Sequence, residues 1–156
     1  FPYTTLFRST GIATSDDDVA VTLKNIPKDV NILASIFEAI GSKRVNIDMI
    51  SQSSPVDGMV SVSFTIPKES LKDSLKIIDE FTTDNKVIVD EDISKFSMVG
   101  LGMKTTSGVA ARMFRTFNKN NIEIKMITTS EIRITCAIKT SDKIKAIKVI
   151  AKEFNL

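Results

Sequence analysis

The sequence predicts an α+β fold of two βαββαβ modules, each an antiparallel sheet with its helices on one face, the first module inserted within the second. Three observations carry this. Period-two and helix-period apolar patterns follow one another in the same order twice. A single shift of 77 residues lays one half on the other. The second half ends one strand short, and a spare strand stands upstream of the first.

The elements follow in order. GIAT, residues 11–14, is the spare strand. Val19 to Leu23 alternate as a strand, Ile26-Pro27 breaks the pattern, and Ile32, Leu33, Ile36, Phe37 and Ile40 recur at helical spacing until Gly41. Val45, Ile47 and Met49 alternate, SSPVDG supplies turn chemistry, and Val60, Val62, Phe64 and Ile66 resume the alternation, which makes a hairpin. A helix from Ser70 carries Leu71, Leu75, Ile78 and Phe81, and Lys86–Val89 closes the module. The order restarts at Phe96 with a strand to Leu101 and the glycine-rich turn GLGMKTTSG. A helix carrying Val109, Met113, Phe114 and Phe117 follows, then strands around Ile124 and Ile134, and a last helix carrying Ile144, Ile147, Val149, Ile150 and Phe154.

The 77-residue shift places Phe37 on Phe114, Val45 on Ile122, Ile47 on Ile124, Met49 on Met126 and Ile50 on Ile127. It shrinks after the hairpin, because TTSEI is shorter than SQSSPVDGM. A sheet ending on an open edge invites wrong pairing, so GIAT is assigned as the missing strand of the second module. The expected boundaries are 1–10 for a leader, 11–18 for that strand and a linker, 19–92 for the first module and 93–156 for the second. This order of elements is that of the ferredoxin-like fold.

Composition narrows the chemistry. Lys plus Arg number 21 against 19 Asp plus Glu, a formal charge of +2 with the two signs intermingled along the chain, which argues against nucleic acid. RNA-binding modules of the same order stack bases on sheet aromatics. Here the strand aromatics are Phe64 and Phe96, Tyr3 is the only tyrosine, and there is no tryptophan. Without histidine the commonest general base and metal ligand is gone, so neither a catalytic nor a metal-binding residue is assigned. A phosphatase on this fold would want an arginine at an anion loop, and Arg112 beside GLGMKTTSG is the one candidate. The single cysteine, Cys136, lies in the alternating run EIRITCAI as a buried apolar residue. No apolar run approaches the roughly 20 residues of a membrane helix, and the opening lacks the pattern of a signal peptide. The expectation is a cytoplasmic protein without a membrane partner.

NIDMISQ (46–52), SMVGLGMKTTSGVAARMF (97–114) and NNIEIKMITTSEIRI (120–134) resemble the tandem ACT modules at the C-terminus of aspartate kinase, over residues 11–156. The resemblance implies the inserted arrangement reached above from the element count. It implies that the modules do no chemistry but bind an end-product amino acid, lysine or threonine, and feed back on a separate kinase domain. That domain makes aspartyl phosphate using ATP and Mg, so this chain is expected to hold no cofactor and to be inactive alone. The residues before Gly11 are too few for a phosphate-cradling core, so the chain is expected to be a regulatory half. FPYTTLFRS reads as the in-frame translation of a common short-read sequencing adapter, and the chain begins with Phe. Residues 1–10 are therefore expected to be a non-native leader on a gene fragment, the alternative being a natural small subunit. The resemblance also implies pairing of modules across a two-fold axis as a homodimer, with effector sites at the seams. The alternatives are an ACT subunit of another amino-acid biosynthetic enzyme and a dimerising scaffold without effector.

An amino-acid effector presents a carboxylate, which suits the free N–H groups at a helix start. Gly100, Gly102 and Gly108 let backbone approach a ligand, and Thr105, Thr106 and Ser107 are placed to cap the helix after Gly108. The ammonium group needs acceptors, for which the carbonyls of Glu123–Met126 and the side chains of Glu131 or Asp48 are candidates, with Thr129 and Ser130 beside them. The matching motifs extend the candidate effector contacts to Met103, Lys104, Val109, Asn121, Ile122, Ile124, Ile127 and Gln52. The first module departs from the family's DKPG-like turn, carrying KDVN at 28–31, which leaves its own site in question.

Overall fold

A computed structural model describes residues 11–28, 31–83, 86–100 and 108–156. The chain divides into two compact units, Asp17–Glu91 and a split unit made of the residues up to Asp16 with Asp92–Leu156. The predicted leader, residues 1–10, lies outside the described residues.

The chain enters through β1 (Gly11–Ser15) and passes into the first module, which comprises β2 (Asp18–Pro27), α1 (Ile32–Ser42), β3 (Ile50–Gln52), β4 (Met59–Pro67), α2 (Leu71–Asp79) and β5 (Val87–Asp90). Its antiparallel sheet has the order β3-β4-β2-β5. Val19, Val21 and Leu23 face Ile36 and Ile40 of α1 and Ile78 of α2 in one core with Val60, Val62, Phe64 and Ile66. The strand predicted to stop at Leu23 runs on to Pro27. A bulge between Leu23 and Ile26 puts Asn25 at φ 51 and resets the alternation, so that Ile26 returns to the core. The turn Val56–Met59 has both central residues at positive φ, Asp57 at 52 and Gly58 at 77, as the twist of a two-residue hairpin requires. Val56 and Met59 exchange both backbone bonds at 2.9 Å.

The hairpin strand expected over Val45–Met49 is shorter than its pattern. Val45 and Ile47 pack against the core, but the paired strand is only Ile50–Gln52. Alternation reports which side chains turn inward, and a connecting segment crossing a core shows it as well as a strand does. The second module repeats this: Ile122 and Ile124 precede β7 (Met126–Thr129) in its core. Asp48 N–H donates to Thr65 O at 3.1 Å, and 77 residues on, Lys125 N–H donates to Ala137 O at 2.8 Å.

β6 (Ser94–Val99), α3 (Val109–Lys119), β7, β8 (Arg133–Ile138) and α4 (Lys143–Phe154) make up the rest of the second module. Its sheet order is β1-β6-β8-β7, with β1 antiparallel to β6 from Gly11 opposite Val99 to Ser15 opposite Lys95. The spare strand thus fills the place of a fourth strand. Asp16, leaving β1, accepts from Ser94 Oγ and from Lys143 Nζ at 2.5 Å each, and Asp92 Oδ1 accepts from Thr140 N–H at 3.2 Å. The two ends of the split unit are thereby tied to the start of α4.

Among the described residues each core holds one edge-to-face aromatic pair at 71°, Phe37–Phe64 with centroids 5.2 Å apart and Phe96–Phe117 at 5.5 Å. They come from non-equivalent positions, since the counterpart of Phe37 is Phe114. Phe114 lies on α3 as predicted but is 45% exposed, and Phe117 supplies the aromatic contact instead.

Two consequences can be measured. Ser74 is fully buried on α2 with its hydroxyl unpaired, and its counterpart 72 residues on is Ala146. Ser74→Ala is expected to raise the unfolding free energy by about 1 kcal/mol, because the stranded hydroxyl costs its desolvation; denaturant unfolding with an unchanged m-value reads this, and a loss of stability would show that the hydroxyl is satisfied. Burial pushes the Cys136 thiol up to about 12 from 9.0. A raised acid contributes its full stability below the unfolded value and loses it as pH rises toward the folded one. Stability should therefore fall between pH 9 and 12 by up to about 1.4 kcal/mol per unit from this group, a slope that Cys136→Ala removes.

Candidate functional site

One end of the second sheet gathers several of the expected residues. β6 ends at Val99 opposite Arg133, and the next residue, Gly100, donates its N–H to Ile132 O at 2.9 Å, at the tip of the β7–β8 hairpin. That tip is closed by Ser130 N–H donating to Arg133 O at 2.8 Å. The glycine-rich turn therefore departs from a backbone bonded to the hairpin tip, and α3 runs back from the same end of the sheet.

Gly108 is the N-cap of α3 at φ 86. Among the described residues a Cβ there would meet nothing within 4 Å, so what they require of this position is the left-handed backbone. The first turn carries no acidic residue, and Gly108 has no side chain to satisfy its N–H groups. Val109 packs against the core while Ala110 and Ala111 are exposed, which leaves a helix start with small side chains.

Thr129, Ser130 and Glu131 are exposed at the hairpin end, near where the turn departs. Met103, Lys104, Thr105, Thr106 and Ser107, with Gly102, lie outside the described residues. Other predicted contacts are placed elsewhere. Asn121, at φ 55, follows the C-terminal end of α3 and donates its N–H to Asn118 O at 3.2 Å. Ile122 is a core residue whose N–H donates to Phe117 O at 2.9 Å, and the side chains of Ile124 and Ile127 pack against the same core. Asp48 and Gln52 belong to the first module, Asp48 exposed before β3 and Gln52 on the outer strand β3 opposite Val62. In that module Lys28 N–H donates to Gly58 O at 2.9 Å, and Asn31 is the N-cap of α1 without a side-chain bond to the helix; Asp29 and Val30 lie outside the described residues.

Arg112, the candidate for an anion loop, is engaged with α4. Its Nε donates to Glu153 Oε1 at 3.1 Å, its Nη2 to Glu153 O at 2.7 Å, and its guanidinium lies 4.3 Å from the Phe154 ring centre. Among the described residues no group of three His, Cys, Asp or Glu could hold a metal ion, and no helix is long and apolar enough to cross a membrane. The Gly100–Ile132 bond was not foreseen from sequence; its signal was the brevity of the TTSEI hairpin, which brings its tip level with the end of β6.

With this geometry in view, the ACT domain family model matches residues 19–81 and 96–154, and the chain belongs to that family. A crystal structure of aspartokinase alpha and beta subunits is 33% identical with TM-score 0.85, and this chain covers 98% of that one with 94% of itself. The ligand-free regulatory subunit of aspartate kinase from Thermus thermophilus is 30% identical with TM-score 0.84, over 92% of this chain and 97% of that one. Aspartokinase of Bacillus sp. (strain MGA3) is 31% identical over 153 residues, 94% of this chain and 36% of the relative, so the chain spans about a third of that protein. E. coli aspartokinase III, solved in complex with lysine and aspartate, shares the fold alone at 18% identity and TM-score 0.70. The chain is accordingly a tandem ACT regulatory region of aspartate kinase.

Because Gly108 is held at positive φ, and a Cβ there would meet nothing within 4 Å among the described residues, Gly108→Ala should lower stability by about 1 kcal/mol through the backbone. Denaturant unfolding measures it, and an unchanged midpoint would mean that the turn relaxes out of the left-handed region.

Proposed function

We propose that this region binds an end-product amino acid, lysine or threonine, and feeds back on the ATP-dependent phosphorylation of aspartate by a kinase domain, as a homodimer in the cytoplasm. The observation that carries the reading is the Gly100–Ile132 bond. It places the departure of the glycine-rich turn against the β7–β8 hairpin tip, at the sheet end from which α3 starts at Gly108. The start of α3, with glycine at its N-cap and no acidic residue in its first turn, suits the effector's carboxylate. Thr129, Ser130 and Glu131 at the hairpin carry oxygens of the kind its ammonium group needs, and Met103 to Ser107 remain candidate contacts from the sequence. Lysine in the complex of E. coli aspartokinase III supports this ligand class.

An effector changes the kinase only through different affinities for its active and inhibited states, and a coupling of about 1 to 3 kcal/mol suffices for 5- to 150-fold regulation. Thermal unfolding against each of the twenty amino acids tests the reading. The cognate effector at 100 times its Kd should add about 2.7 kcal/mol. Gly108→Asp, which puts a carboxylate where the ligand's own would sit, should abolish the shift, whereas Gly108→Ala should lower basal stability and keep most of it. A shift retained in Gly108→Asp would overturn the placement of the site, and no shift with any amino acid would favour a dimerising scaffold.

A further inference from the structure

The start of α3 is gripped one turn further on. Arg112 N–H donates to Gly108 O at 2.9 Å, the first bond of the helix, while its side chain crosses to the end of α4. The last turn of a helix leaves carbonyls without helical partners. Leu156 N–H donates to Ala151 O at 2.8 Å and Asn155 N–H to Lys152 O at 3.4 Å, and Arg112 Nη2 takes the next, Glu153 O, at 2.7 Å. The side chains of Arg112 and Glu153 are 42% and 36% exposed, and an ion pair so placed contributes little by itself. The rigid fork of arginine adds to it a backbone carbonyl and the face of Phe154, and it sets a cation at the negative end of α4. Helical side chains lean toward the N-terminus of their own helix, so this grip bears on the first turn of α3. Glycine at the N-cap gives that start no side chain of its own to anchor it.

The repeat shows that the grip belongs to the second module and not to the fold. Both modules build the corner alike. Lys28 N–H donates to Gly58 O at 2.9 Å as Gly100 N–H does to Ile132 O, and Ser35 N–H donates to Asn31 O at 2.9 Å as Arg112 N–H does to Gly108 O. By the 77-residue shift, however, the counterpart of Arg112 is Ser35, and by the 72-residue shift those of Glu153 and Phe154 are Phe81 and Thr82. Phe81 packs against the first core. A serine facing that pair cannot make a charged clamp, so the clamp accompanies the helix start that has the glycine cap and is missing where KDVN stands in the turn.

We propose that Arg112 is a positioning residue for the effector site, holding the first turn of α3 against the last turn of α4, so that a carboxylate bound at Gly108 and an ordered end of α4 stabilise one another. Linkage makes the coupling reciprocal: an ordered α4 end raises affinity, and bound ligand orders the α4 end by the same factor. This rests on the reading of that helix start as the effector site, and it adds what sets the affinity there and which element responds.

Titration calorimetry of the full chain with lysine and with threonine, well below the melting temperature, tests it together with hydrogen exchange at the Leu156 amide. Arg112→Gln should raise Kd about fivefold or more, the low end of allosteric coupling. Arg112→Lys should raise it less, since lysine keeps the charge and loses the fork. Lys143→Gln, which cuts the ion pair with Asp16 at the other end of α4, should lower the melting temperature and leave Kd unchanged. Saturating ligand should slow exchange at Leu156 in the wild type and not in Arg112→Gln. Wild-type Kd in Arg112→Gln would overturn the positioning role and leave the site reading standing, and so would an equal rise in Kd in Lys143→Gln, which would mean a general loosening of α4. Unchanged exchange at Leu156 in a wild type that binds ligand would overturn the response of α4. A wild type that binds neither amino acid would overturn the site reading and this inference with it.

Discussion

The second module depends on a backbone ladder between two strands that a whole module separates in sequence. β1, Gly11–Ser15, is the outer neighbour of β6, and without it the sheet would end on the unpaired groups of β6 itself. Because this partner is contributed from before the first module, the whole of Asp17–Glu91 is spliced into the second unit, and the ends of the splice must be held. Asp16 does so for one end through Ser94 and Lys143, and Asp92 for the other through Thr140. Both grips fall at the start of α4. Closing so long a loop carries an entropic cost that grows slowly with its length, which makes an inserted, independently cored module tolerable.

Within each module the same local solutions recur at equivalent places although the side chains have diverged. The first helix of each ends in a left-handed residue, Arg44 at φ 60 and Asn121 at φ 55, with the preceding residues bonded back to the last helical turn in the same way. Asparagine accepts that conformation readily, whereas arginine bears a cost, so backbone geometry has outlasted the residue best suited to it. The hydroxyl pairs Thr22–Ser63 at 2.7 Å and Ser97–Thr135 at 2.8 Å join the central strands at matching positions. The two cores keep one aromatic pair each but draw it from different positions, since a core asks for volume and contact and not for a particular residue.

The candidate site is built by the same economy. A glycine whose value is its left-handed backbone starts a helix with small residues in its first turn, and a hairpin short enough for its tip to bond to Gly100 lies beside the departing turn. Arg112 illustrates how a suggestive residue is claimed by packing: next to the turn in sequence, it is held by Glu153 and Phe154 of α4. Ile122, Ile124 and Ile127, in the motif that carried the resemblance, turn their side chains into the core. A motif of this kind records the strand that supports a site as much as the site itself.

Module order, the restart at Phe96 and the need for an extra strand were legible in the residues, because apolar periodicity is a direct record of which side chains turn inward. The glycine at position 108 and the Asp-Gly turn at 57–58 were legible for a related reason: few residues accept positive φ. What only the tertiary structure decided depends on partners distant in sequence. It decided that Val45 and Ile47 cross a core without pairing, that Phe117 and not Phe114 meets Phe96, and that Gly100 is bonded to Ile132. Periodicity tells a residue which way to face, and it carries no information about what stands opposite.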